Sequence, residues 1–150
     1  MSLEKHMRNI FEKVETERDS LGRRIKSDKN IFLCGVASYP KPVNANNWTA
    51  DDRQNYELWK AQTLEFLKSE YEDNLLCVLE HTDEKYPHFH FYAANKTRVA
   101  DTPKLHPGHA ENIRFEEEAK KSGGKPDKRA MTTAYRKAMS EFQDKYYNEV

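Results

Sequence analysis

Half of the six histidines fall within residues 81–90, in the string His81-Thr82-Asp83-Glu84-Lys85-Tyr86-Pro87-His88-Phe89-His90. His88 and His90 are two apart, so on a strand their rings share one face while Phe89 and Phe91 turn to the other. His81 closes the preceding apolar run. If the two runs pair as a hairpin, its imidazole approaches the other two across the ladder. Three neutral ring nitrogens leave positions open on a bound cation. A cation held in that way takes a nonbridging phosphate oxygen and polarises phosphorus toward attack. Three imidazoles on one hairpin are costly without a shared ligand, which favours a site over three unrelated surface residues.

The elements that must carry these rings follow from period. Leu75 to Glu80 reads as one strand and Phe89 to Ala94 as its partner, joined by the polar turn Thr82 to Pro87. Before them, Thr49 with Asp52 three residues on forms a capping box with Asp in place of Glu. The helix that follows places Tyr56, Trp59, Thr63, Phe66, Leu67 and Tyr71 on one face and is expected to end near Asp73-Asn74. Ile31 to Ala37, closed by Pro40 and Pro42, reads as a buried strand. An N-terminal helix is expected over residues 3–25, with Ile10, Phe11, Val14, Leu21 and Ile25 as its apolar positions. Beyond Asn95 the pattern loosens until a charged helix from His109 to Lys121. A last helix runs from about Pro126, with Met131, Tyr135, Ala138, Phe142 and Tyr146 as a core-facing stripe. The order implies an α+β fold, an antiparallel-containing sheet with flanking helices.

Composition sets the limits. The chain has 150 residues, 25 basic against 25 acidic side chains, and 37% hydrophobic residues. That length suits one domain over residues 1–150. The longest apolar stretch, Ile31 to Ala37, is too short to cross a bilayer and the start lacks a secretory signal, so a cytoplasmic protein without a membrane partner is expected. Cys34 and Cys77 each sit in an apolar run and read as two reduced core side chains. Net charge near zero excludes binding to nucleic acid by bulk electrostatics alone. Distribution tells more, because residues 120–137 hold seven basic side chains against the single acid Asp127. That stretch is either one basic face or a solvated loop around Gly123 and Gly124.

A bare His-x-His is shared by cupins and histidine-triad hydrolases, but Tyr92 stands where a third alternating histidine would be and no cupin-spaced Glu follows. The whole string HTDEKYPHFHF resembles the metal-binding motif of HUH endonucleases. It is most similar to plasmid mobilisation relaxases of the Mob/Pre (MobV) type, whose pattern reads His-x-Asp-Glu-x-x-Pro-His-x-His. The resemblance extends to LHPGHA at residues 105–110 and to the tail AYRKAMSEFQDKYYNEV, and it is strongest from residue 55 onward. Near the start, Glu4-Lys5-His6-Met7-Arg8 resembles the family's early His-x-x-Arg motif, with Arg8 two places after His6.

The resemblance implies an HUH palm and an enzyme that nicks single-stranded DNA at an origin-of-transfer-like site. Such an enzyme keeps the cut 5′ phosphate as a covalent link to protein, in plasmid mobilisation or recombination. It implies His81, His88 and His90 as ligands of Mn²⁺ or Mg²⁺, although three imidazoles by themselves also suit Zn²⁺. Glu84 is a candidate assisting acid. His6 is the first candidate nucleophile, with Tyr147 and Tyr146 as alternatives. Arg8, Lys128, Arg129, Arg136 and Lys137 are candidate DNA contacts, and accessory plasmid proteins are candidate partners. The same metal motif fits a rolling-circle replication initiator, an HUH transposase, or a DNA-binding remnant without catalysis. The family's first strand has no counterpart ahead of His6, which implies a fragment or a sheet lacking an edge strand.

Overall fold

The computed structural model describes residues 1–42 and 47–150. Among the described residues four helices, α1 (Leu3–Thr16), α2 (Ala50–Tyr71), α3 (Pro107–Lys121) and α4 (Lys128–Glu149), flank three strands, β1 (Leu33–Ser38), β2 (Leu75–His81) and β3 (His88–Ala93). The sheet is antiparallel throughout, in the order β1-β3-β2. This is a mixed α+β fold with a small antiparallel sheet and flanking helices.

Local sequence explains where the helices start. At α2 the Thr49 hydroxyl accepts from the Asp52 amide at 3.1 Å and the Asp52 carboxylate accepts from the Thr49 amide at 3.0 Å, a complete capping box. The Asp127 carboxylate accepts from the amides of Arg129 and Ala130 at the head of α4. At α3 the cap is a histidine, with Nδ1 of His106 accepting from the His109 amide at 3.1 Å ahead of Pro107.

One face of the sheet is built by α2. Its buried residues are Tyr56, Trp59, Thr63, Phe66, Leu67 and Tyr71, the stripe expected from period. Trp59 meets Phe89 with ring centroids 5.2 Å apart, and Tyr71 meets Phe91 at 5.6 Å. Phe91 lies so close over β1 that a Cβ on Gly35 would come within 2.1 Å of its ring, which is why position 35 is glycine. The stripe of α4 is only half-buried, with Phe142 and Tyr146 packed on the cluster of Phe66, Leu67, Tyr71, Phe91 and Ala93.

Among the described residues, a cluster led by α1 covers one end of the opposite face. Ile10 of α1 packs there with Leu76, Ala94 and Val99, and Cys77 and Tyr92 lean on this cluster. Helix α1 ends at Thr16, well short of the expected residue 25. The reason is Glu17, whose carboxylate turns away to accept from the amides of Val99 and Ala100 at 2.8 and 2.9 Å, capping a 3-10 helix over Val99–Leu105. Leu21 is accordingly exposed.

Strand β1 is likewise not the buried strand expected from its composition. It lies at the sheet edge and alternates half-buried with exposed residues. Both cysteines are free, but Cys34 is exposed and so not a core side chain, while Cys77 is half-buried against the Ile10 cluster.

Candidate metal centre

Register builds the site row by row. In β3, His88 pairs with Ser38 on one side and His81 on the other, His90 with Val36 and Leu79, and Tyr92 with Cys34 and Cys77. These nine side chains share one face, because alternation sends Phe89 and Phe91 toward α2. Ile10 of α1 and its cluster take Tyr92 and Cys77 of the third row, while Cys34 stays exposed. In the histidine rows Val36 and Leu79, on either side of His90, are 58% and 39% exposed, while His88 itself is buried.

The three imidazoles converge. Their ring centroids lie 5.2 Å (His81 to His88), 4.4 Å (His81 to His90) and 4.8 Å (His88 to His90) apart. One nitrogen from each falls within 4.8 Å of the others, and Nε2 of His88 and His90 are 3.0 Å apart. Nitrogens bound at about 2.1 Å to one ion sit roughly 3 to 3.5 Å from each other, so side-chain rotation by about an ångström closes the set.

Hydrogen bonding assigns the tautomers. Nδ1 of His88 lies 3.0 Å from the Tyr86 carbonyl, which only accepts, so His88 carries its proton on Nδ1 and leaves the Nε2 lone pair toward the site. The proton between the two Nε2 atoms is then donated by His90, and a metal would displace it. Pro87 locks this turn to the sheet, its carbonyl accepting from the Tyr39 amide at 2.8 Å. These residues fit a divalent cation with open positions. Glu84 sits exposed in the turn, and neither it nor Asp83 joins the converging group.

The other sequence candidates lie elsewhere. His6 lines a cleft with Ile10, Leu76 and Lys96. Leu76 is at the far end of β2, roughly 17 Å along the strand from His81. Burial, reinforced by Lys96 and the N-terminal ammonium, lowers the His6 pKa and keeps the ring neutral, but far from the triad. Arg8 is exposed and paired with Glu4 at 2.9 Å.

Tyr146 is across the sheet. Its hydroxyl accepts from Trp59 Nε1 at 3.0 Å and bonds Thr63 at 2.9 Å, so it is a packing residue of the α2 face. Tyr147 is 78% exposed and lines a groove of about 1000 Å³ along the free edge of β1, together with Val36, Ser38 and Tyr86. Lys128, Arg129, Arg136 and Lys137 are exposed along α4, Lys137 beside Glu141 at 3.8 Å. None of them is among the residues of this C-terminal stretch that pack on the sheet's clusters, which are Phe142, Tyr146 and Val150, all C-terminal to these four.

Two features went unread in the sequence. One is the tight grouping of His106 and His109, centroids 4.2 Å apart, against Tyr135, with Gly108 making room for the Tyr135 ring. The other is the place of Tyr92 on the triad's own face, which the alternation His88, His90, Tyr92 already implied.

No family model, curated protein or solved structure matches the chain. The likeness to HUH relaxases accordingly rests on the residues of the motif and their order. Among the described residues no helix is long and apolar enough to cross a membrane.

Proposed function

We propose that the protein is a divalent-metal-dependent nuclease acting on single-stranded DNA, of the HUH relaxase kind, with His81, His88 and His90 holding the ion. The observation that carries this reading is the convergence of these three imidazoles on an uncovered sheet face, in a string that keeps the Asp-Glu and Pro-His-x-His order of the mobilisation enzymes. When bound, Mn²⁺ or Mg²⁺ would supply charge to neutralise a phosphodiester as it is attacked. The chain's own contribution is positional. The Tyr86 carbonyl fixes the His88 ring, and Val36 and Leu79 give the substrate an apolar seat beside His90.

A second reading, a DNA-binding remnant without catalysis, is favoured by the position of His6. The residue that the likeness offers as nucleophile sits at the other end of the sheet.

Calorimetric titration of metal-stripped protein with Mn²⁺ and Zn²⁺ tests the site without knowledge of a nick sequence. Binding of one ion per chain, lost in His88→Ala, is expected. Absence of binding in the intact chain would remove the metal centre and the nuclease reading with it. With the site established, denaturing electrophoresis after incubation with Mn²⁺ and single-stranded origin oligonucleotides separates the two readings: a covalent adduct supports the nuclease, and binding without an adduct supports the remnant.

A further inference from the structure

The sheet has two margins, and they are built differently. Along β2 the pairing with β3 shifts register between Leu75 and Cys77, and Glu80 near the other end is held by the Tyr56 hydroxyl at 2.8 Å and by Lys60 at 3.4 Å. A bulge and a charge are two of the devices that discourage an edge strand from further pairing. Strand β1 has neither. Its register with β3 runs unbroken from Leu33 to Ser38, and those six residues include no proline and no charged side chain.

The Tyr39 amide, donating to the Pro87 carbonyl at 2.8 Å, sets the phase of that pairing. Residues of an antiparallel pair alternate between exchanging both backbone bonds and pointing both groups away. Leu33, Gly35 and Ala37 therefore bond to β3, and Cys34, Val36 and Ser38 each turn an N–H and a C=O outward. Among the described residues no turn, loop or second strand bonds to these three.

Outside that margin lies the groove of about 1000 Å³, with β1 as one wall and Met139, Phe142 and Gln143 of α4 as the other, over Phe66 and Leu67 of α2. A third of the chain is charged, yet none of the residues lining the groove is Asp, Glu, Lys or Arg. Both walls are incompletely covered. Leu33, Gly35 and Ala37 are only half-buried, and α4, although 22 residues long, has no buried side chain. A further strand would lie roughly 4.8 Å outside β1, where it faces the stripe of α4 and covers both walls.

We propose that β1 takes a fourth strand in trans: an uncharged, extended segment of another protein, about five to seven residues long, with apolar side chains at alternate positions. Its backbone completes the bonds of Cys34, Val36 and Ser38, and its apolar side chains enter the groove against Leu33, Ala37 and Phe142. The uncharged lining selects the segment, since a Lys or Glu turned inward would lose its hydration and find no partner. A second copy paired through its own β1 meets an obstacle, because a two-fold axis between the strands puts both α4 helices on the same side of the joined sheet, each over the other's margin. A nucleic-acid strand meets another, because the groove offers its phosphates no cation. The inference goes beyond the metal centre and does not depend on it.

The test is selection from a displayed library of random heptapeptides on the full chain, followed by titration of the enriched peptides into ¹⁵N-labelled protein. Enrichment of uncharged sequences with apolar residues at every second position is expected, with amide exchange at Cys34, Val36 and Ser38 slowed at least about tenfold in the complex. Val36→Pro removes an outward N–H and no bond to β3, a change that an edge strand tolerates, and should weaken the peptide at least about tenfold. Gln143→Lys, at an exposed position of α4, puts a charge in the groove without disturbing the core and should weaken it likewise. No enrichment over the unselected library, or enriched peptides whose affinity survives both substitutions, would overturn the proposal. Slowing of the same three amides by oligothymidylate in preference to the peptides would overturn it in favour of nucleic acid. Slowing by raised protein concentration alone would overturn it in favour of a second copy.

Discussion

His88 serves packing and, under the proposed function, ligation as well, since the residue is 7% exposed and its Nδ1 hydrogen is donated to the Tyr86 carbonyl. Truncating it to alanine therefore costs stability as well as a ligand. The lost contacts and hydrogen bond amount to about 1–2 kcal/mol, which metal-free urea unfolding should register as a lower midpoint with an unchanged slope. Added Mn²⁺ should raise the melting temperature of the wild type and not of His88→Ala, because only an ion that binds the folded chain stabilises it. An equal rise in both would place the ion elsewhere. His106 supports a different residue-scale prediction. Burial, and then its neighbour His109, lowers its pKa below the ordinary 6.5, and its Nδ1 must stay unprotonated to accept the His109 amide. The unfolded chain thus takes up this proton first. The stabilising contribution is whole above the ordinary value and is lost as pH falls from there through the lowered folded value. Urea midpoints of the wild type should fall below about pH 6.5, and His106→Asn, which caps without titrating, should fall less steeply. Parallel profiles for the two proteins would show that His106 carries none of the effect.

The strands and helices make demands of their own, the sharpest at β1. A Cβ at position 35 would sit 2.1 Å from the Phe91 ring, which is itself pinned against Tyr71. Gly35→Ala should therefore cost about 2–3 kcal/mol, read from urea unfolding, and should cost much less in a Phe91→Leu background. Equal costs in both backgrounds would mean that the ring is not the obstacle. The same strand shows what sequence pattern conveys and what it omits. The α2 stripe was legible because a helix packed along its length against a sheet buries one face at a regular period, from Tyr56 to Tyr71. The hairpin was legible because period-2 alternation and the Pro87 turn are local. That β1 is an edge was not, since an apolar run reads alike in the centre of a sheet and at its margin. Edge position follows from the pairing of residues 33–38 with residues 88–93, far along the chain. The end of α1 was hidden for a similar reason, because Glu17 leaves the helix to cap amides at residues 99 and 100. The placement of His6 depends on that same packing, so the likeness that nominated it could not say where it stands.

At the scale of the whole molecule the triad and the basic residues of α4 belong to different regions, and if the proposed single-stranded substrate binds, their separation sets the length of strand that feels both. Val150 marks the end of α4 that touches the sheet, beneath the hairpin that carries the histidines. Arg136 is roughly 21 Å back along the helix axis from there and Arg129 roughly 32 Å, both exposed and about seven residues apart on one side. A single phosphodiester at the triad cannot reach either, whereas an extended strand of several nucleotides can cross the β1 edge and run up α4. Replacing both by glutamine should leave Mn²⁺ affinity and the binding of a dinucleotide unchanged. It should weaken a long single-stranded oligonucleotide and reduce the slope of log affinity against log salt by about 0.7 for each lost phosphate contact. Fluorescence anisotropy across a salt series reads all of these quantities. Loss that appears equally with the dinucleotide would mean that the charges act at the site itself, and an unchanged slope with the long strand would take α4 off the path of the nucleic acid. The zero net charge sharpens the expectation, because with 25 basic and 25 acidic side chains no global attraction masks the contribution of two local ones.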